Sequence, residues 1–279
     1  MTPLRRTLEE ARIVLCVGHG GVGKTTITAA LAAWAARRGR RTAVLTVDPA
    51  QRLKDTLGLG RGDGPRRVSL GGLGARAGHL DAYLLDVKRT FDELIVALAA
   101  PEQARTILEN RLYQNLSGSL AGTAEYMAVE RVYRLAHEGG YDLVVVDTPP
   151  ARHAVDFLDA PRRLLALLES RVFGILKDPT SILPAAGSRL AHFVLDSVLR
   201  GLERFTGIGL VREVGDFVRA IDTLTVALAA RIRSVQATLT GPGTALVLVA
   251  APEPRAAERL DELTRLAHEP RLGRGHEDE

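Results

Sequence analysis

A glycine-rich loop between a strand-like run and a helix-like run constrains this chain more than any other feature. An apolar, β-rich run at residues 12–17 precedes the loop, and an alanine-rich stretch at residues 25–38 follows it. Such a strand, turn and helix start present backbone N–H groups to anionic oxygens. The loop residues are Gly18, His19, Gly20, Gly21, Val22, Gly23, Lys24, Thr25 and Thr26. They predict a site for a nucleoside triphosphate, with Lys24 reaching the β- and γ-phosphates and the Thr25 hydroxyl joining a Mg²⁺ shell.

The remaining pattern predicts an α/β fold. Strand-like runs alternate with helical sequence at residues 42–47, 80–85, 141–146 and 245–250. The third of these is an almost continuous β-branched run, which is typical of a parallel strand buried on both faces. We therefore predict a P-loop NTPase fold with a mostly parallel sheet, formed by residues 1–279 as a single domain.

Two long helical stretches predict a helical subdomain inserted into this domain, formed by about residues 88–138 and 160–240. Interruptions are expected near Pro101 and at Ser117–Ser119. Between Leu210 and Leu239, apolar residues spaced by threes and fours predict one long amphipathic helix.

Three further segments are predicted from local composition. Residues 58–78 are rich in Gly and Arg and are expected to form an exposed linker. Residues 253–267 are predicted to be a last helix, and residues 269–279 a polar tail.

Charge and hydropathy exclude several classes of protein. The net charge is +4, from 37 basic and 33 acidic side chains, with no basic run interleaved with aromatics, so no nucleic-acid partner is expected. The longest uncharged apolar stretches, such as residues 223–230 and 244–252, are too short to span a membrane. The first residues contain Glu9 and Glu10 and no long apolar segment. We expect a cytoplasmic protein with no membrane span.

Two aspartates follow predicted strands and are candidates for the chemistry of triphosphate hydrolysis. Asp48 and Asp147 should both lie at the carboxyl edge of a parallel sheet, where ligands bind in such folds. Asp147 fits a residue that holds Mg²⁺ through its water shell, and Asp48 one that orients the attacking water, so Asp48 and Lys24 are the predicted catalytic residues. The alternative for each aspartate is a cap on the next element. His153 is either a sensor of the γ-phosphate or an ordinary loop histidine.

These motifs resemble those of the arsenite-pump ATPase family, which includes the ATPase that targets tail-anchored proteins. Residues 18–25 resemble its deviant Walker A loop and residues 46–50 its first switch. The segment after the valine-rich run resembles the family's second switch. Its matching residues are Asp147, Thr148, Pro149, Pro150 and His153, with Phe157 and Leu158 following. The resemblance runs from about residue 10 to residue 268. It implies an ATPase that uses ATP and Mg²⁺, a homodimer with nucleotide at the interface, and a helical subdomain opened and closed by ATP.

The sequence departs from that family at three places. His19 stands where the family has a second lysine, which reaches the partner's phosphates across the dimer; an imidazole is shorter and is not permanently charged. Cys16 is the sole cysteine, so neither a multi-thiolate arsenite site nor a zinc-binding cysteine pair can form within the chain. The family's adenine-reading segment has no counterpart, which leaves base specificity open.

Three functions remain open at this point. The first is a Mg²⁺-dependent ATPase that couples its nucleotide state to a membrane-associated partner. The second is a nucleotide-dependent switch or scaffold that hydrolyses ATP slowly or not at all, which His19 favours. The third is a targeting factor that carries apolar helices in the region of residues 187–240.

Overall fold

The computed structural model describes residues 3–47, 56, 65–70, 78–110, 113–114, 123–170 and 222–252. The chain divides into two compact units. Unit 1 consists of Met1–Leu85, Val132–Leu158 and Gly241–Glu279, and unit 2 consists of Asp86–Arg131 and Asp159–Thr240.

A six-stranded sheet forms the centre of unit 1. Its strands are β1 (Ile13–Gly18), β2 (Thr42–Thr46), β3 (Arg66–Arg67), β4 (Leu80–Leu84), β5 (Leu143–Asp147) and β6 (Thr244–Val249). Their order across the sheet is β3-β4-β2-β5-β1-β6. Neighbouring strands are parallel except for the antiparallel pair β3 and β4. The predicted α/β fold with a mostly parallel sheet is confirmed.

Seven helices are present in the described ranges. They are α1 (Pro3–Glu10), α2 (Lys24–Arg37), α3 (Val87–Leu98), α4 (Pro101–Glu109), α5 (Thr123–His137), α6 (Ala151–Leu168) and α7 (Thr225–Thr240). The strand before the glycine loop and the helix after it lie within one residue of their predicted positions. None of the helices in these ranges combines the length and apolarity that crossing a membrane requires.

Helix α2 covers one face of the sheet through alanines. Ala32, Ala35 and Ala36 are fully buried in a core that includes apolar residues of β1, β2, β4 and β5. Alanine combines high helix propensity with a small side chain, so α2 can lie close to the strands. Every residue of β5 is buried, and β5 lies between β1 and β2. The predicted central strand, buried on both faces, is therefore confirmed.

The guanidinium of Arg40 organises the amino edge of the sheet. It donates hydrogen bonds to the carbonyls of Leu8 (2.5 Å), Ala11 (2.7 Å) and Asp142. These acceptors lie in α1, just before β1 and just before β5. Burial lowers the pKa of Arg40, with the nearby Asp142 acting in the opposite direction. Helix α1 was not predicted from the sequence, because its position depends on these long-range contacts.

Part of the predicted linker is a strand. Arg66–Arg67 pair with β4, and the Arg67 guanidinium lies 2.5 Å from the carboxylate of Asp81. The Tyr141 hydroxyl donates to the same carboxylate at 2.8 Å and therefore accepts from Tyr83, at 2.7 Å. The two residues form a strand where an irregular linker was predicted, because β4 supplies a backbone partner, while Arg67 is exposed as predicted.

Unit 2 has its own apolar core and a buried ion pair. The core residues are Ile95, Ala104, Ile107, Tyr113 and Leu224. Glu130 on α5 is 0% exposed, and its Oε1 lies 2.7 Å from Nη2 of Arg231 on α7. A buried carboxylate needs such a partner, because the lost hydration is otherwise uncompensated. The pair therefore fixes α5 against α7.

Two helix boundaries were predicted wrongly. Helical structure was predicted from about residue 160, but helix α6 begins at Ala151 and contains Pro161 in its interior. The periodic run ending at Leu239 is not one uninterrupted helix, because Thr223 and Leu224 form a turn before α7. Leu224 packs into the core of unit 2, which accounts for its apolar character.

Several predictions fall outside the described residues. They are the interruption at Ser117–Ser119, most of the linker at residues 58–78, the start of the long helix at Leu210, the helix at residues 253–267 and the tail at residues 269–279.

Replacement of Asp142 by Asn should destabilise the fold in a pH-dependent way. The Asp142 carboxylate accepts from the Arg41 backbone N–H (2.8 Å) and guanidinium (2.7 Å), which lower its pKa from 3.8 to about 2. Because the side chain is 38% exposed, the loss at pH 7 should be modest, about 1 kcal/mol of unfolding free energy. A carboxyl whose pKa is lower in the folded state than in the unfolded state stabilises the fold at pH values above its unfolded-state pKa. That stabilisation is lost as the pH falls to the folded-state pKa. The difference from wild type should therefore shrink as pH falls from 3.8 towards 2.

Urea unfolding at pH 7, 4 and 2.5 measures this difference. Glu9→Gln is the control, because it breaks an exposed pair with Arg5 one helical turn away and should cost about 0.3 kcal/mol. A difference for Asp142→Asn that stays constant over this pH range would contradict the assigned role of the ion pair.

Candidate functional site

The glycine loop adopts a conformation that depends on two of its glycines. Gly21 and Gly23 both have φ of 81°, in the left-handed region that side chains disfavour. Gly23 caps α2 without a side-chain hydrogen bond, and the first turn of α2 contains no acidic residue. A Cβ added at Gly20, Gly21 or Gly23 would meet nothing within 4 Å. The loop is therefore open above its glycines, at a helix N-terminus suited to an anion.

A glycine is required at position 18 because the backbone of another strand passes close to it. It ends β1 in register with Val249 of β6, and a Cβ at Gly18 would collide with the Val249 carbonyl. Val249 was not identified as part of the site from the sequence, because nothing local indicates that β6 pairs with β1. The close approach of these two backbones fixes where the loop begins.

The strand register places Asp147 at the carboxyl edge of the sheet. Asp147 at the end of β5 is paired with Cys16 of β1 and with Thr46 of β2. Since all three strands are parallel, their carboxyl ends meet at the edge from which the glycine loop leaves β1. Asp147 is only 1% exposed.

The carboxylate of Asp147 is bound to the loop and to β2 through hydroxyl groups. Its Oδ2 accepts a hydrogen bond from Oγ1 of Thr25 at 2.7 Å and a longer one from Oγ1 of Thr46 at 3.4 Å. The sequence predicted Thr25 and Asp147 as partners in one metal site, and the structure places them in direct contact. Thr46 was missed, because its proximity follows from the β2–β5 register and not from a motif.

The segment after β5 is also attached to β1. The Oγ1 of Thr148 donates to the carbonyl of Cys16 at 2.8 Å, and Thr148 is almost fully buried. Pro149 is half-buried, Pro150 is exposed, and α6 begins directly afterwards. His153 lies in the first turn of α6, but its side chain is outside the described part, so its sensor role stays a prediction.

Asp48 also stays a prediction, because it lies outside the described residues. The residue before it is bonded to β5: the backbone N–H of Val47 donates to the carbonyl of Asp147 at 3.2 Å. This bond continues the β2–β5 pairing to the residue that precedes Asp48.

His19 differs from the other loop residues in its surroundings. Its side chain is half-buried, and its Nε2 is shielded from solvent with no hydrogen-bond partner among the described residues. The neighbouring Gly20 and Gly21 are exposed.

Cys16 is a packed thiol inside β1. It is fully buried, and burial raises its pKa to about 11, so the thiol is protonated at neutral pH. Within the part of the chain that the structure describes, no cluster of three or more His, Cys, Asp or Glu side chains is arranged to hold a metal ion.

Replacement of Gly18 by Ala should destabilise unit 1, whereas the same change at Gly20 should not. The Cβ at position 18 would require β1 and β6 to separate, with an expected loss of about 2 kcal/mol. Gly20 has open space around it and should change stability by less than about 0.5 kcal/mol. Thermal unfolding of both variants measures the difference. Equal stability of the two would contradict the close approach at Gly18.

Comparison with known proteins relates these features to one family. The sequence model of the anion-transporting ATPase family matches residues 11–269. An uncharacterized protein of Streptomyces coelicolor is 32% identical over 244 residues, 79% of this chain and 59% of that protein. A Halobacterium salinarum protein named arsenical pump-driving ATPase is 33% identical over 162 residues, 55% of this chain and 24% of that protein.

A third relative is the ATPase Get3 of Aspergillus terreus, 29% identical over 199 residues, 69% of this chain and 56% of that protein. The chain thus covers less than two thirds of the length of each of these relatives. The family match covers almost the whole chain, including the glycine loop, β2 and the Asp147 segment. This chain belongs to the anion-transporting ATPase family.

Proposed function

We propose that this protein is a Mg²⁺-dependent ATPase that binds ATP in the loop of residues 18–26. One observation carries the proposal: the hydroxyl of Thr25, at the start of α2, lies 2.7 Å from the carboxylate of Asp147 at the end of β5. A hydroxyl and a carboxylate meeting beside an open glycine loop at a helix N-terminus are the parts that triphosphate hydrolysis needs. Membership of an ATPase family supports the same function.

The residues at this edge fit Mg²⁺ by their donor chemistry. Mg²⁺ prefers oxygen ligands and usually keeps several of its waters. The Thr25 hydroxyl would bind the ion directly, and the Asp147 carboxylate would hold it through water, with Thr46 orienting that carboxylate. When bound, the ion would supply positive charge that compensates the negative charge of the phosphates.

The other loop residues act on the phosphates. Backbone N–H groups of residues 20–25 and the N-terminus of α2 stabilise negative charge in the transition state. Lys24 supplies a positive charge to the β- and γ-phosphates. Asp48 orients the attacking water. Thr148 ties the Asp147 segment to β1 through the carbonyl of Cys16.

The wider function is proposed from the relatives. One relative is named an arsenical pump-driving ATPase and another is named Get3. We infer a cytoplasmic homodimer that couples its nucleotide state to a membrane-associated partner, with residues 88–138 and 160–240 as the helical subdomain. Arsenite capture is not proposed, because Cys16 is buried and protonated and soft-metal capture needs converging thiolates.

A second candidate is a nucleotide-dependent switch that hydrolyses ATP slowly. The observation that favours it is His19, whose imidazole nitrogen is enclosed and supplies no permanent charge to a phosphate. Steady-state hydrolysis of ATP and GTP by the purified protein, with sedimentation with and without nucleotide, separates the two functions. Turnover no faster than the spontaneous rate, together with tight binding, would favour the switch.

Replacement of Lys24 by Ala should abolish tight ATP binding. Loss of a charge-assisted contact to the phosphates should weaken affinity by about a hundredfold or more. Titration with a fluorescent ATP analogue measures this affinity. Lys88→Ala is the matched control, because Lys88 pairs with Asp92 in unit 2 and should leave ATP affinity unchanged. Tight binding by the Lys24 variant would refute the phosphate-loop assignment.

Replacement of Asp48 by Asn should preserve ATP affinity and reduce turnover by about a hundredfold or more, because an oriented water matters mainly in the transition state. Single-turnover hydrolysis and equilibrium binding measure the two quantities separately. Asp142→Asn, at the amino edge of the sheet, should keep wild-type turnover at pH 7. If Asp48→Asn loses affinity and keeps its turnover, Asp48 is a Mg²⁺ or structural ligand instead.

A further inference from the structure

A cavity at the amino edge of the sheet in unit 1 lies away from the residues assigned to ATP. Its volume is about 420 Å³, which is within the range of small-molecule sites. The C-terminal end of α2, Glu9 of α1 and Asp142 just before β5 line it. Helix α2 begins at the glycine loop, and its 14 residues span about 20 Å to the opposite edge of the sheet. This amino-edge cavity is therefore separate from the proposed ATP site.

Two guanidinium groups line the amino-edge cavity, and neither forms an ion pair within the described residues. The exposed Arg38 lies over the half-buried ring of Trp34, with its Cζ 4.5 Å from the ring centre. Arg40 donates its hydrogen bonds to backbone carbonyls. Gly39 between them has φ of 94°, which turns the chain after α2 so that both arginines line the same cavity.

The two carboxylates that line the cavity are paired with other arginines. Glu9 lies 3.0 Å from Arg5, and Asp142 lies 2.7 Å from Arg41. Burial lowers the pKa of Arg40, and the longer-range attraction of Asp142 acts in the opposite direction without cancelling this effect. The lining therefore has positive charge available to a ligand, together with an aromatic surface at Trp34.

We propose that the amino-edge cavity binds a small aromatic monocarboxylate, with the carboxylate accepting hydrogen bonds from Arg38 beside the charge of Arg40 and the ring packing on Trp34. A planar carboxylate matches the fork of N–H donors on a guanidinium, and aromatic rings pack well on an indole. The ligand carries one negative charge because the carboxylates of Glu9 and Asp142 would repel a second. This inference does not depend on the proposed ATP site.

The probe for this site is 2-naphthoate, and Trp34 reports on it. Trp34 is the sole tryptophan, so its indole N–H gives one unambiguous signal in a ¹⁵N–¹H spectrum. We expect 2-naphthoate to shift this signal with a Kd of about 1 mM, as its size allows. The uncharged 2-naphthamide should bind at least about tenfold more weakly. The phosphate ester of 2-naphthol, a dianion at about pH 8, should also bind more weakly than 2-naphthoate.

Two neighbouring arginines provide a variant and its matched control. Arg38→Gln keeps a long side chain over Trp34 and removes the charge, so its affinity for 2-naphthoate should fall about tenfold. Arg37→Gln removes the same charge one residue earlier on α2, where Arg37 is exposed and donates to the Leu70 carbonyl at 3.3 Å. This control should bind 2-naphthoate within about twofold of wild type, since Arg37 is not among the residues that line the cavity.

The results separate this proposal from the proposed ATPase. Lys24→Ala should lose ATP and still bind 2-naphthoate, whereas Arg38→Gln should keep wild-type ATP affinity. An unmoved Trp34 signal at about 10 mM 2-naphthoate would overturn the proposed site. Binding of the amide as tight as that of 2-naphthoate, or equal losses in the Arg37 and Arg38 variants, would overturn the role of Arg38. Tighter binding of the phosphate ester would overturn the assignment to a monocarboxylate.

Discussion

The parallel pairing of β1, β5 and β2 is the constraint on which the candidate site depends. In this register Asp147 lies between Cys16 and Thr46, and its carboxylate reaches Thr25 at the start of α2. Side chains alternate between the faces of a strand, so a slip of one residue would turn Asp147 to the other face. The apolar residues of these three strands, buried on both faces, prevent that slip. The core of unit 1 therefore sets the distance between hydroxyl and carboxylate.

Burial also determines the chemistry available to that carboxylate. Asp147 is almost inaccessible to water, and a buried carboxylate is stable only when donors or cations compensate its lost hydration. Hydroxyls of Thr25 and Thr46 supply two donors. Electrostatic interactions are stronger in such surroundings than in water, so a cation bound beside Asp147 would be held firmly. The apolar core thus contributes to the proposed metal site as well as to stability.

Family membership and individual chemistry provide different information about this protein. The family match covers nearly the whole chain and agrees with the glycine loop and the Asp147 segment. It does not determine the behaviour of His19, whose Nε2 is shielded from solvent with no hydrogen-bond partner among the described residues. The surroundings of this loop residue are known only from the folded structure.

The sequence by itself determined the elements whose signals are local. The strand before the loop, the glycine turn, α2 and the valine-rich β5 follow from periodicity, glycine conformation and β-branching within a few neighbouring residues. The tertiary structure alone decided the position of α1, the edge strand at Arg66–Arg67, the turn at Thr223–Leu224 and the roles of Thr46 and Val249. Each of these depends on partners far away in sequence, such as Arg40 for α1 and β6 for Gly18. Local propensity carries no information about such partners, because their contacts exist only once the sheet has assembled.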